Sequence, residues 1–142
     1  MDAKETAEFI GVPYSTLVYW TKGREDTPPL LQVDRGDGRG KPYQFGPPEV
    51  MEALMVKELR EAGVRLPRIR SAVAEMRRKE GTDWPYRYLA VTPMGVLIWV
   101  TDTNQIKDTD GRTYVVDIRQ LRGMADKSAS EEGVRAREKI EA

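Results

Sequence analysis

Residues 6–22 read TAEFIGVPYSTLVYWTK, and the order of apolar, breaking and polar residues in that run decides how the rest of the chain is read. Just ahead of it Asp2 stands where a helix N-cap belongs. Glu5 follows three residues on as its reciprocal partner, and Ala3, Ala7 and Ile10 recur at helical spacing. A first helix over 3–10 follows. Gly11 suits the left-handed residue that ends a helix, and Pro13 fixes the backbone as the chain enters a second one. Within 14–22, Leu17 and Trp20 share one face, whereas Tyr14, Ser15, Val18 and Lys22 fall on the more exposed side. This second helix closes near Gly23. Two short amphipathic helices about a Gly-Val-Pro break have the form of a helix-turn-helix, a unit that offers its second helix to a DNA groove.

Working outward, Arg24-Glu25-Asp26 and the Thr27-Pro28-Pro29 break lead to the apolar Leu30-Leu31-Gln32-Val33, which reads as a strand. Residues 34–41 hold three glycines and no apolar residue, so they form a hairpin loop, and Pro42-Tyr43-Gln44-Phe45 returns as the partner strand. Two strands around a basic loop after a helix-turn-helix make a wing. Gly46-Pro47-Pro48-Glu49 then opens a helix with a core-facing stripe of Val50, Leu54, Val56 or Lys57, and Leu59, ending at Gly63. Residues 64–67 connect tightly to another helix, apolar at Ile69, Val73 and Met76, and the two pack antiparallel.

Beyond Gly81 the period changes to that of strands. Residues 88–91 and 96–100 flank a Thr-Pro-Met-Gly turn, and Asp110-Gly111 marks a further turn before a strand over 112–118. A small antiparallel sheet is expected, with 96–100 either its central strand or an edge that pairs with another subunit. The segment 126–142 is mostly charged and small, with Val134 and Ile140 its larger apolar residues, and reads as a marginal or partner-ordered helix.

Composition bounds what this fold can do. In 142 residues there is no apolar run of the length a membrane span needs, no N-terminal export signal and no cysteine, so a cytoplasmic location is the default expectation. Histidine is absent as well, which removes the commonest general base and, together with cysteine, the usual zinc and nucleophile chemistry. No catalytic residue, metal ligand or cofactor is assigned, and the chain does not read as an enzyme. The acidic pairs Asp108/Asp110 and Glu131/Glu132 are solvated charge, since no regular oxygen-ligand loop surrounds them. Net charge is zero but segregated: Arg65, Arg68, Arg70, Arg77, Arg78 and Lys79 face the single acid Glu75 within 65–79. Arg35, Arg39 and Lys41 form a second basic group, diluted by Asp34 and Asp37.

Read together, GVPYSTLVYW (11–20), GKPYQF (40–45) and LREAGVRLPRIRSAV (59–73) resemble the MerR-type winged helix-turn-helix family. There, a G-V-x-x-x-T-L-R-Y-[YW] segment precedes a wing ending in an aromatic strand, then an x-L-R-x-x-G-[FV]-x-L-x-x-I-R helix pair. The resemblance covers roughly residues 3–80. It implies that Thr16 and Tyr19 face DNA, that Tyr43 lies in the closing strand of the wing, and that Leu17, Trp20, Leu59 and Ile69 are core. The chain departs from the pattern at Val18, where the family usually has arginine, and at Gln44, where arginine is common; each change removes a phosphate contact. The family's dimers use a long helix after about residue 80, whereas Gly81, Pro85 and strand-like sequence follow here, so a homodimer must be built another way. A subset of bacterial antitoxins is similar, joining a MerR-like half with a YSTL-x-YW segment to a C-terminal part that holds a toxin.

The expected architecture is therefore α+β: a winged helix-turn-helix over 1–81, a small antiparallel β module over 82–123 and a charged, helical or partner-ordered tail over 124–142. The expected function is sequence-specific binding of double-stranded DNA by a homodimeric transcriptional regulator. The alternative is an antitoxin or adaptor whose C-terminal part binds a second protein. The candidate DNA contacts are Tyr14, Ser15, Thr16, Tyr19 and Lys22 on the second helix, then Arg35, Arg39, Lys41 and Tyr43 in the wing. The wing bases either lie along the DNA backbone and minor groove or stay solvated. Arg65, Arg68 and Arg70 begin a helix, where the dipole disfavours cations, so they need anions nearby; pairing with Glu58 and Glu61 is preferred over phosphate. Trp84, Tyr86, Tyr88 and Trp99 are read as core or interface rather than a ligand pocket.

Overall fold

Asp2 and Glu5 form the capping box that their spacing requires. Asp2 Oδ1 accepts from the Glu5 N–H at 2.8 Å, and Glu5 Oε1 accepts from the Asp2 N–H at 3.2 Å. The structure, a computed structural model, describes residues 1–23, 28–31, 44–79, 86–106 and 112–128. Helix α1 (Ala3–Ile10) buries Ala3, Thr6, Ala7 and Ile10. It ends at Gly11, whose φ of 80° is the left-handed value that favours glycine. Its last turn carries no base of its own; Lys57 reaches across to donate to the Ile10 carbonyl at 2.8 Å, setting a positive charge at the negative end of the helix. Helix α2 (Tyr14–Lys22) buries Leu17, Trp20 and Thr21.

After α2 the chain turns back on itself. The N–H groups of Leu30 and Leu31 both donate to the Trp20 carbonyl, at 2.9 and 3.2 Å, and neither residue is in a strand. Phe45, expected to close a hairpin, exchanges backbone hydrogen bonds with Met1, at 2.7 and 3.1 Å. Gln44 is described and exposed, while residues 32–43 of the expected wing, including Arg35, Arg39, Lys41 and Tyr43, lie outside the described residues.

Helix α3 (Pro47–Glu61) starts with prolines at its first positions and with Glu49 accepting from the Gly46 N–H at 3.0 Å. The expected single stripe is too narrow. Val50, Met51, Ala53, Leu54, Met55, Val56 and Leu59 are all buried, because α1, α4 (Leu66–Lys79) and α5 (Ile118–Ser128) pack around this helix. Buried Glu52 is paired with Arg77 of α4. On α4 the buried residues are Ile69, Ala72, Val73 and Met76.

The strands β1 (Tyr88–Val91), β2 (Leu97–Val100) and β3 (Tyr114–Asp117) form an antiparallel sheet in the order β2-β1-β3. Of the two alternatives for 96–100, the structure therefore gives the outer position. Leu89, Val91 and Val116 face the helices and are buried, while Ile98 and Val115, in register on either side of Ala90, are exposed. A single turn of 3-10 helix at Thr103–Gln105 follows β2.

The strand expected over 112–118 stops at Asp117, and α5 begins at the next residue. Asp117 Oδ1 accepts from the Gln120 N–H at 3.2 Å, which is N-cap geometry. Ile118, Leu121, Ala125 and Ser128 are buried, and α5 packs on α3. The helix thus runs across the division expected at 123/124. One buried cluster joins Leu17, Val50, Leu59 and Ile69 to Leu89, Val116, Ile118 and Leu121. The described residues are α+β, five helices and one small sheet.

Candidate nucleic-acid interface

Helical spacing divides α2 into two faces. Leu17, Trp20 and Thr21 point inward and are at most 4% exposed. Tyr14, Ser15, Val18, Tyr19 and Lys22 follow one another at i, i+1, i+4, i+5 and i+8 on the opposite side. Tyr14, Ser15 and Lys22 are exposed, Val18 and Tyr19 half-buried, and Thr16 lies at the margin, also half-buried. Tyr14 is 56% exposed. Tyr19 packs partly against the core, so its ring is shared between fold and surface. The face carries one cation, Lys22, and Val18 sits one turn from both Tyr14 and Lys22.

No side chain caps the start of α2. Pro13 occupies the N-cap position, and its carbonyl accepts from Thr16 and Leu17 at 3.0 and 3.2 Å. Of the first-turn N–H groups, those of Tyr14 and Ser15 therefore have no carbonyl of their own helix to bond, and the positive end of the helix dipole lies behind them. Such a terminus suits a phosphate oxygen. At the other end the Gly23 N–H closes α2 on the Tyr19 carbonyl at 2.9 Å, with a φ of 70° that again requires glycine.

The arginines of 65–70 do not make the expected contacts. Arg68 Nη1 donates to the Gly95 carbonyl at 2.8 Å, and Arg70 Nη2 donates to the Pro28 carbonyl at 3.0 Å. Among the described residues the ion pairs are Arg77–Glu52 and Arg87–Asp117, so neither Glu58 nor Glu61 takes an arginine. Glu58 instead accepts from the Tyr114 hydroxyl at 2.5 Å. That hydrogen bond, with burial and the charges of Glu58 and Glu61, pushes the Tyr114 pKa up to about 12. The physical reason is distance along the chain: the carbonyls of Pro28 and Gly95 become neighbours of α4 only after folding. Arg68 and Arg70 thereby tie α4 to the β1–β2 turn and to the segment leaving α2.

The aromatic residues divide. Trp99 is half-buried, packs against the core and donates Nε1 to Glu75 at 3.1 Å; Tyr86 is exposed, 6.5 Å from it between ring centres. Tyr88 is half-buried under the Arg87 guanidinium at 5.0 Å. Trp84 lies outside the described residues.

The structure thus brings Tyr14, Ser15, Val18, Tyr19 and Lys22 together on one surface of α2. A cleft between α3, α4 and α5 is lined by Met76 of the expected apolar face of α4 and by residues missed at the sequence level, among them Met51, Arg122 and Asp126. The signal that would have found the helix carrying Arg122 and Asp126 is the Asp117-x-x-Gln120 cap, followed by Ile118, Leu121 and Ala125. Among the described residues no group of acidic side chains is arranged to hold a metal ion, and no helix is long and apolar enough to cross a membrane. No family model matches the chain, and neither a curated protein nor a solved structure matches it.

Proposed function

We propose that this chain is a MerR-like, sequence-specific double-stranded DNA-binding transcriptional regulator that places α2 in the major groove. The observation that carries the reading is the two-faced character of α2. Leu17, Trp20 and Thr21 lock it to the core, while an uncapped N-terminus, Tyr14, Ser15 and Lys22 stand in solvent. A rigidly held helix with short polar groups and hydroxyls on its free face suits positioning on phosphates and reading of base edges. Thr16 and Tyr19 flank that face, and the wing residues Arg35, Arg39, Lys41 and Tyr43 complete the proposed contact set.

Selection of random duplex DNA with the purified chain tests this: a recurrent sequence should be enriched, and Lys22→Ala should weaken its binding and reduce the salt slope by about 1. Failure to enrich any sequence overturns the proposal. Tyr19 is better probed by Tyr19→Phe than by alanine, because its ring also packs on the core.

A second reading, an antitoxin or adaptor that holds a partner protein through its C-terminal part, is favoured by one observation. Ile98 and Val115, 45% and 40% exposed, flank Ala90 in register across the outer face of the sheet. On this reading Ile98→Lys with Val115→Lys abolishes partner binding and leaves DNA binding intact. The same face is our proposed site of homodimer formation if light scattering gives twice the chain mass and the double variant halves it.

A further inference from the structure

Three helices from distant parts of the chain enclose a cleft of about 240 Å³ on the side of α3 that α5 covers. Its lining is mixed: Met51, Met76 and Ala125, which are 6%, 7% and 1% exposed, and the prolines that open α3 supply the apolar part, and Glu52, Arg77, Arg122 and Asp126 the charged part. At its base Arg77 donates from Nε at 3.0 Å, and from Nη2, to the same oxygen of Glu52, so this arginine is committed within the protein. At its mouth stand Arg122 and Asp126, one turn apart on α5 and both exposed. Neither forms an ion pair with any described residue.

We propose that this cleft is a binding site for a free aromatic amino acid, with the ring between Met51 and Met76, the carboxylate on Arg122 and the ammonium on Asp126. Size sets the first limit. An apolar cavity of roughly 150 Å³ holds one benzene ring, so this one accommodates a ring and the short stem of an amino acid. Wall chemistry sets the second, since thioether sulfurs make favourable contacts with aromatic rings and adapt to their outline. Charge sets the third. One uncommitted cation and one uncommitted anion at the same mouth match a zwitterion, whereas an aromatic acid or an aromatic amine would leave one of them facing its own sign or nothing. A peptide end carries one of the two charges and is disfavoured on the same ground. The site lies on helices other than α2 and stands independently of DNA binding.

Calorimetric titration of the full chain with L-phenylalanine, N-acetyl-L-phenylalanine and phenethylamine tests the assignment. Phenylalanine should bind at roughly millimolar or tighter concentration, and each singly charged analogue about tenfold more weakly, the loss of one charged hydrogen bond. Arg122→Ala should weaken phenylalanine and leave phenethylamine unchanged, while Asp126→Asn should weaken phenylalanine and leave the acetylated compound unchanged. Both side chains are exposed, so neither variant threatens the fold. Equal binding of the three compounds, binding unmoved by either variant, or no binding overturns the assignment.

Discussion

Val18 is the residue at which the proposed DNA-binding surface is most specifically adjustable. It lies half-buried between Tyr14 and Lys22 on the free face of α2, at the position to which the proposed MerR resemblance assigns arginine. Val18→Arg therefore places a guanidinium in the middle of that face. It should raise affinity for duplex DNA and steepen its salt dependence by about one unit of slope; a loss of affinity in a salt titration would show that the helix docks differently. Gly123 is a second informative residue. It sits inside α5 in open space, with nothing within 4 Å of an added Cβ, so no close approach requires glycine there. Gly123→Ala should raise stability to chemical denaturation by roughly 0.5–1 kcal/mol, the usual helix-interior cost of glycine. An unchanged midpoint would mean that this turn is not helical in solution.

Among the elements, α5 departs most from its sequence reading. A strand running to Ile118 and a stop at Gly123 left it divided between two segments, although Asp117 and Gln120 already carry the cap pattern. Leu121, 5% exposed and facing α3, measures its contribution. Leu121→Ala should cost about 2–5 kcal/mol in an unfolding titration, whereas a cost near zero would return α5 to the status of a marginal tail. The hydrogen bond from β3 to α3 gives a pH signature. Tyr114 ionises at about 12 in the folded chain and at 10.0 without the fold, so its neutral form is the one the fold favours. The stabilisation is fully present below pH 10 and is lost as pH rises toward 12. Tyr114→Phe should flatten the fall in stability across that window, read as the difference between variant and parent melting curves; identical curves would show that the Glu58 contact does not persist in solution.

At the scale of the whole molecule, one buried cluster links α1 and α2 to the sheet and to α5, which predicts a single cooperative unfolding transition. Unfolding of the full chain followed by tryptophan fluorescence and by helical circular dichroism should give the same denaturation midpoint, and two separate midpoints would restore independent lobes. The sequence by itself determined the bounds of α1, its capping box, the left-handed glycine at 11, the bounds of α2 and its inward Leu17 and Trp20. It also set the end of α3 before Gly63 and the strand at 88–91. All of these are decided within a few residues, by backbone chemistry and by one face of apolar spacing. Only the tertiary structure decided that Phe45 pairs with Met1, that Arg68 and Arg70 end on the carbonyls of Gly95 and Pro28, and that α3 is surrounded. It alone brought Met51, Met76, Arg122 and Asp126 around one cleft. Those contacts join groups tens of residues apart, and which distant groups meet depends on how every amphipathic face is buried at once, which local spacing does not encode.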